Sequence, residues 1–281
     1  MFRWLHETSS AHVEQRNAMC GCQAAAMGGK FMSQKLIGKT ALVSGGSRGI
    51  GQGIALSLAH EGADIAFCHF GDDENAAKTK QQIEAMGRKC VAAECDVSDV
   101  AAIQGFCAAA KDTLGDIDIL VNNAGHNITE NFEEISEESF DRMLNVHVKG
   151  TFFMAQTVYR DMKARGEGRI INITSQLAYK GAPTLTHYCA AKGANATLTR
   201  ALALESADTG VLVNAVAPGV TNTDLLTPLS DELLNTLKDA IPLGRFAEVS
   251  EIAPSVVFLA SEAGNFFHGS CISPNGGEVM F

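Results

Sequence analysis

The amino-acid sequence predicts an α/β domain built as a single doubly wound fold, with a parallel sheet of about seven strands. Three observations lead there. Short β-rich apolar runs alternate with helical stretches from Lys35 onward. Most of those runs are continuously apolar, as expected of strands covered by helices on both faces. The first run passes directly into a glycine-rich turn and then a helical stretch.

The predicted strands are Thr40–Ser44, Asp64–Cys68, Cys90–Glu94, Ile117–Asn122, Arg169–Thr174, Val211–Ala217 and Ser270–Ser273. Gly51–Glu61 reads as a helix, with Ile54, Ala55, Leu58 and Ala59 on one stripe and Gly62 beyond its end. Ala76–Met86 reads likewise and stops at Gly87, glycine being the usual residue just past a helix. Pro274 removes a ladder donor, so the last strand is expected at a sheet edge or to end there. No internal repeat or linker divides the domain.

The chain has 281 residues and a formal net charge of −10. That length suits one large domain with a sizeable core. The acidic balance repels phosphate backbones and anionic lipid, so neither nucleic acid nor a membrane is expected as a partner. No apolar run reaches the roughly 18 residues of a membrane span. Eight cysteines without regular spacing read as reduced thiols of a cytoplasmic protein. Residues 1–34 show neither strand alternation nor a long helical stripe and are expected to be a disordered leader before a domain over 35–281. Cys20 and Cys22 in that leader lack a second ligand pair, and His60 and His268 have no partner at metal-ligand spacing, so no metal is expected.

The turn after the first strand reads Ser44-Gly45-Gly46-Ser47-Arg48-Gly49-Ile50-Gly51. Its glycines allow a sharp turn and close approach of a pyrophosphate, and the helix that follows offers free N–H groups and a positive dipole end. This stretch resembles the Gly-x-x-x-Gly-x-Gly turn of the short-chain dehydrogenase/reductase family. Further motifs follow in the family's order: Asp96-Val97, Asn122-Asn123-Ala124-Gly125, Tyr188-Cys189-Ala190-Ala191-Lys192, and Pro218-Gly219 followed by Thr221 and Thr223. The resemblance runs from Lys35 to the C-terminus. It implies a Rossmann-type fold and hydride transfer between NAD(P)(H) and a small carbonyl or alcohol substrate. It assigns coenzyme contacts to Gly45, Ser47, Arg48, Gly49, Ile50 and Gly51, to His69, to Asp96 and Val97 near adenine, to Asn123, Ala124 and Gly125 by the ribose, and to Pro218, Gly219, Thr221 and Thr223 near the carboxamide.

Tyr188 and Lys192 are four apart, which on a helix puts them on one face. Ser175 lies thirteen positions before Tyr188, the family's spacing for its catalytic serine. Carbonyl reduction needs a proton on oxygen as well as a hydride on carbon. A phenol of ordinary pKa near ~10 is a poor acid–base group at neutral pH, so a neighbouring Lys192 ammonium, helped by an oxidised nicotinamide, is expected to lower it. Tyr188 is expected to transfer the proton and Ser175 to hold the substrate oxygen. Lys192 is expected to tune the phenol and to hold the ribose hydroxyls. Where the family often carries a catalytic asparagine, this chain has His147. It is read either as a member of the proton relay or, preferably, as a packing and hydrogen-bonding residue. The family uses this residue's main-chain carbonyl to hold a water that leads to the lysine.

Arg48 can grip a ribose 2′-phosphate, and His69 stands where NAD-preferring members carry an acid, so NADP is favoured over NAD. Asp72-Asp73-Glu74 opposes this reading, unless it is only a solvated helix start. Substrate specificity is expected from the segment Asp224 to Arg245 and from His126, Asn127, Gln176, Leu177, Tyr179, Leu185 and His187. The resemblance extends equally to 3-oxoacyl-carrier-protein reductases and to sugar or polyol dehydrogenases. It also implies a homotetramer built on the last strand and two long helices. The alternative of another kind is a coenzyme-binding scaffold that has lost catalysis. Hydrolysis at Ser175 is disfavoured, since no Gly-x-Ser-x-Gly elbow surrounds it.

Overall fold

The computed structural model describes residues 34–280. The expected leader, with Cys20 and Cys22, lies outside the described residues except for its last position. Strands β1 (Thr40–Ser44), β2 (Asp64–His69), β3 (Cys90–Glu94), β4 (Ile119–Asn122), β5 (Gly168–Ile173), β6 (Val211–Val216) and β7 (Cys271–Ile272) form one sheet. Their order is β3-β2-β1-β4-β5-β6-β7, and every neighbouring pair is parallel. The helices are α1 (Gly49–His60), α2 (Asp73–Ala85), α3 (Val100–Leu114), α4 (Glu137–Leu144), α5 (Gly150–Arg165), α6 (Leu177–Lys180), α7 (Thr186–Ser206), α8 (Asp231–Asp239) and α9 (Val249–Ala260). A π-helical turn, Asn145–Lys149, joins α4 to α5.

Successive strand residues point to opposite faces, and both faces are dry. Ala41, Val43, Ile65, Phe67, Val121 and Ile171 pack with α1, α2 and α9 on one side. Leu42, Ala66, Cys68, Leu120, Ile170 and Val213 pack with α3 and α5 on the other, where Ala203 of α7 also joins. This double burial explains why the strands read as unbroken apolar runs. It also sets the chain direction: all strands run the same way, so the turns after β1, β4, β5 and β6 gather along one edge. The strand order reverses between β1 and β4, and ligands of such sheets bind in the crevice that opens there.

Strand ends differ from the sequence expectation where side chains take over ladder bonds. β4 starts at Ile119 rather than Ile117, and the Asp118 carboxylate accepts the Thr40 N–H at 2.9 Å. β7 has only Cys271 and Ile272. Asn214 Oδ1 accepts the Ser270 N–H at 3.0 Å, and the Ser273 hydroxyl donates to the Ala217 carbonyl at 2.8 Å. Pro274 follows directly, and β7 is the sheet edge. The Asp72-Asp73-Glu74 run opens α2, with Asp73 and Glu74 in its first turn where acids are favoured.

Phe67 lies fully buried under the glycine turn, where a Cβ on Gly46 would come within 2.6 Å of its side chain. Phe67→Ala is expected to lower unfolding free energy by about 3–5 kcal/mol in urea titrations. A loss below about 1 kcal/mol would show that this face of the core is not close-packed.

Candidate active site

The glycine turn is held open from behind by β4. Ser44 Oγ accepts the N–H groups of Asn123 and Ala124, both at 3.0 Å. Asn123 Nδ2 donates to the carbonyls of Ser44 at 3.1 Å and Gly45 at 3.0 Å. Gly45 and Gly49 have φ of 67° and 56°, a conformation that glycine adopts without strain. A Cβ on Gly51 would lie 2.0 Å from the Gly45 carbonyl oxygen. Only bare backbone fits there, and the N-terminus of α1 ends on it, so the turn suits a pyrophosphate. Thr223, at 3.6 Å from the Cβ position of Gly49, closes the cradle from the β6 side. Ile50 instead packs inward against the core of α1.

The adenosine end carries more charge than the sequence suggested. Ser47 is buried, and its hydroxyl donates to Asp72 Oδ2 at 2.7 Å. Arg48 Nε stands 3.8 Å from the same carboxylate on a side chain that is 63% exposed. Asn75 Nδ2 donates to Asp72 Oδ1 at 2.8 Å. Asp72 therefore sits among the residues assigned to the 2′ position of the ribose. His69 ends β2, buried, with Nδ1 3.8 Å from Asp73. Burial would raise the Asp96 carboxyl, but hydrogen bonds from Ser98 and Arg142 outweigh it and hold it below the usual range. Arg142 Nη1 reaches Asp96 at 2.9 Å, and its guanidinium covers the exposed Phe70 ring at 5.7 Å. Val97 is buried in the α3–α5 core, beneath Gly150.

The reacting end forms where β5, the π turn and α7 meet. Ser175 follows β5, and its Oγ accepts the Leu177 N–H at 3.1 Å. Ser175 acts on the Tyr188 phenol, favouring its charged form. Lys192 is buried one turn below Tyr188, and its Nζ donates to the Ile173 carbonyl at 2.8 Å. The ammonium lies 5.7 Å from the centre of the Tyr188 ring. Burial pushes the phenol up to about 12, with the Ser175 hydrogen bond pulling against it. Burial alone pulls Lys192 down to about 8. The expected lowering of Tyr188 by Lys192 is thus not produced by this chain's own groups. The ammonium is turned toward a backbone carbonyl, and desolvation of the phenolate wins.

His147 occupies the π turn, fully buried, in edge-to-face contact with Tyr188 at 5.4 Å between ring centres. Its Nε2 lies 2.8 Å from the His126 carbonyl and 3.1 Å from the His126 N–H. Burial and the Lys192 charge hold it well below its ordinary pKa, so the ring is neutral. A Cβ on Gly125 would come within 2.3 Å of this imidazole, which is why bare backbone passes it. The His147 carbonyl accepts Asn195 Nδ2 at 2.9 Å. Pro218 and Gly219 close the site: the Pro218 carbonyl accepts the Gln176 N–H at 3.1 Å, and the Gly219 N–H donates to Pro274 at 3.0 Å. Thr221 Oγ1 donates to the Gly219 carbonyl at 3.0 Å. The structure thus brings the glycine turn, Asn123–Gly125, Ser175, Tyr188, Lys192, His147 and Pro218–Thr223 to one edge, with His69 and Asp96 at its adenosine end. Sequence reasoning missed Arg142 and Asn195. Asn195 was within reach, since it lies one turn beyond Lys192 on a buried face.

A family model described as enoyl-(acyl carrier protein) reductase matches residues 45–278. The 3-oxoacyl-[acyl-carrier-protein] reductase of Staphylococcus aureus is 37% identical over 242 residues, covering 86% of this chain and 98% of that one. The chain belongs to the short-chain dehydrogenase/reductase family. Acetoacetyl-CoA reductase of Rhizobium meliloti is 38% identical over 243 residues, covering 86% of this chain and 99% of its own. A short-chain dehydrogenase from Burkholderia cenocepacia, solved with NADP, superposes with a TM-score of 0.81 at 31% identity, covering 87% of this chain and 99% of that one. This short-chain dehydrogenase/reductase is an NAD(P)-dependent oxidoreductase acting on carbonyl or alcohol groups. Among the described residues, no group of three or more His, Cys, Asp or Glu could hold a metal ion, and no helix is long and apolar enough to cross a membrane.

The buried Lys192 charge opposes folding. Its folded pKa of about 8 lies below the ordinary 10.5. Between these values the unfolded chain binds more protons, so stability rises with pH there, and the full penalty is present below about 8. Lys192→Met is expected to be more stable than the parent at pH 7 by on the order of 2–3 kcal/mol, with the gap closing toward pH 10.5. Calorimetric unfolding across that range checks this, and a variant less stable at pH 7 contradicts it.

Proposed function

We propose that the chain is a carbonyl reductase of 3-oxoacyl type that uses NADPH and works through Ser175, Tyr188 and Lys192. The observation that carries the reading is the buried Lys192 one helical turn from Tyr188, its ammonium 5.7 Å from the centre of that ring, with Ser175 acting on the same phenol, on the sheet edge that also bears the glycine turn. A bound nicotinamide supplies the hydride. Ser175 and Tyr188 offer two hydroxyl donors to one substrate oxygen, which fits reduction of C=O rather than C=C. Tyr188, protonated at neutral pH because burial raises it, gives its proton to the forming alkoxide. Lys192 stands below it to hold the ribose and offset the phenolate left behind.

His147 acts as a neutral staple. Its one bonded nitrogen is committed to His126, which supports packing over a proton relay. The exposed Arg48 guanidinium favours NADP over NAD, and the relative solved with NADP agrees with that choice. Asp72 beside it weakens the discrimination. The 3-oxoacyl and acetoacetyl-CoA reductases among its relatives favour a 3-oxoacyl thioester over a sugar or polyol. We further place the enzyme in the cytoplasm as a homotetramer. Phe152 on α5, Leu204 on α7 and Phe266 before β7 are exposed apolar side chains on the surfaces such an assembly would cover.

Absorbance at 340 nm with NADPH or NADH and acetoacetyl thioesters, and with the oxidised coenzymes and polyols, tests the reading. Tyr188→Phe is expected to lower kcat at least ~100-fold with coenzyme affinity unchanged. Reduction is expected to fall, and oxidation to rise, along one shared alkaline limb. Turnover that survives in Tyr188→Phe overturns the assignment. Tight coenzyme binding with no turnover on any substrate favours the scaffold.

A further inference from the structure

Glu278 lies on the C-terminal segment after β7, and its side chain is only 3% exposed. A buried carboxylate requires partners, since desolvation without them is unfavourable by several kcal/mol. Its partners both belong to the turn that carries Ser175. Gln176 Nε2 donates to Glu278 Oε2 at 2.6 Å, and the Lys180 ammonium contacts Oε1. Gln176 and Lys180 bracket α6 at a spacing of four, so one carboxylate grips both ends of that single helical turn.

The segment that presents Glu278 is itself pinned. Asn275 is buried. It donates to Ser273 Oγ at 2.9 Å and to the Val279 carbonyl at 2.8 Å, and accepts the Gly277 N–H at 2.9 Å. The Pro274 carbonyl accepts the Gly219 N–H, and the Pro218 carbonyl accepts the Gln176 N–H. Three stretches far apart in sequence thus close a triangle behind Ser175: the β5–α6 turn, the Pro218-Gly219 turn and the C-terminal strap.

We propose that Glu278 is a positioning residue for the reaction, clamping α6 through Gln176 and Lys180 so that the Ser175 hydroxyl is held in place for Tyr188 and the substrate oxygen. This rests on the reading of Ser175 and Tyr188 given above. The strap is then part of the active site, although it touches none of the reacting atoms. Loss of the clamp lets α6 shift, and a displacement of about 1 Å at a catalytic group can reduce turnover about 100-fold.

The test pairs kinetics with the ring 13Cζ resonance of Tyr188, which reports the influence of the Ser175 hydroxyl on its phenol. Ser175→Ala marks the shift when that hydroxyl is absent. Glu278→Ala is expected to move the Tyr188 resonance toward the Ser175→Ala position and to lower kcat about 10- to 100-fold with KM little changed. Should Glu278→Ala fold poorly, the swap of Lys180→Glu with Glu278→Lys serves instead. The buried amide of Gln176 can flip and accept from the new ammonium, so the swap is expected to restore the resonance and most of kcat, whereas Glu278→Lys alone is not. An unmoved resonance and an unchanged kcat in folded Glu278→Ala overturn the proposal. A resonance that moves in a protein with no reductase activity leaves the clamp standing and removes the functional reading. Normal activity with an unmoved resonance does the reverse.

Discussion

The hydrogen bond from the Lys192 ammonium to the Ile173 carbonyl joins α7 to the end of β5. Everything at the reacting end is registered on that joint. Ser175 is two residues past the acceptor, and Tyr188 is one turn before the donor. Asn195, one turn after it, donates to the His147 carbonyl and so couples the π turn to the same helix. The joint stays dry because β5 lies inside the sheet, between β4 and β6. Enclosure draws Lys192 down to about 8 and drives Tyr188 up to about 12.

A second set of constraints holds the segment between β4 and α7. The Glu130 N–H donates to the Thr184 carbonyl at 2.9 Å, and His187 Nε2 lies 3.3 Å from the Glu130 carboxylate. The backbone bond ties the segment after β4 to the residues just before α7. Thr184 takes a φ of 60°, which is strained for a β-branched residue and persists because its neighbours hold it. His126, His147 and His187 stand around Tyr188 with buried ring nitrogens that have no hydrogen-bond partner: Nε2, Nδ1, and both nitrogens of His187 respectively.

Much of the fold was legible because the local signals agreed. Thr40–Ser44 and Cys90–Glu94 were delimited to the residue, since continuous apolar runs between turns leave little freedom. The gathering of the glycine turn, Asn123, Ser175, Tyr188 and Lys192 followed from a parallel sheet, which carries every such turn to one edge. Strand ends were less legible. Asp118 and Asn214 replace ladder bonds with side-chain bonds, and neither leaves a periodic trace. The π turn at Asn145–Lys149 has no glycine or proline within it to announce it. It carries His147, whose ring is buried against Gly125 and Tyr188. Glu278 and Gln176 are 102 residues apart, and Arg142 is 46 from Asp96. Such partners are chosen by topology, which no local window contains.

The central claim is that enclosure alone leaves Tyr188 protonated, and that coenzyme binding brings it into its working range. The chain has three tyrosines, so ring-labelled protein gives a resolvable spectrum. The direct measurement is the pH titration of the Tyr188 13Cζ resonance with and without saturating NADP⁺. The account predicts a phenol near 12 in the free protein and at least about two units lower with the oxidised coenzyme, whose positive charge favours the phenolate. A titration that does not move with coenzyme, or a free phenol already titrating near neutrality, would contradict it.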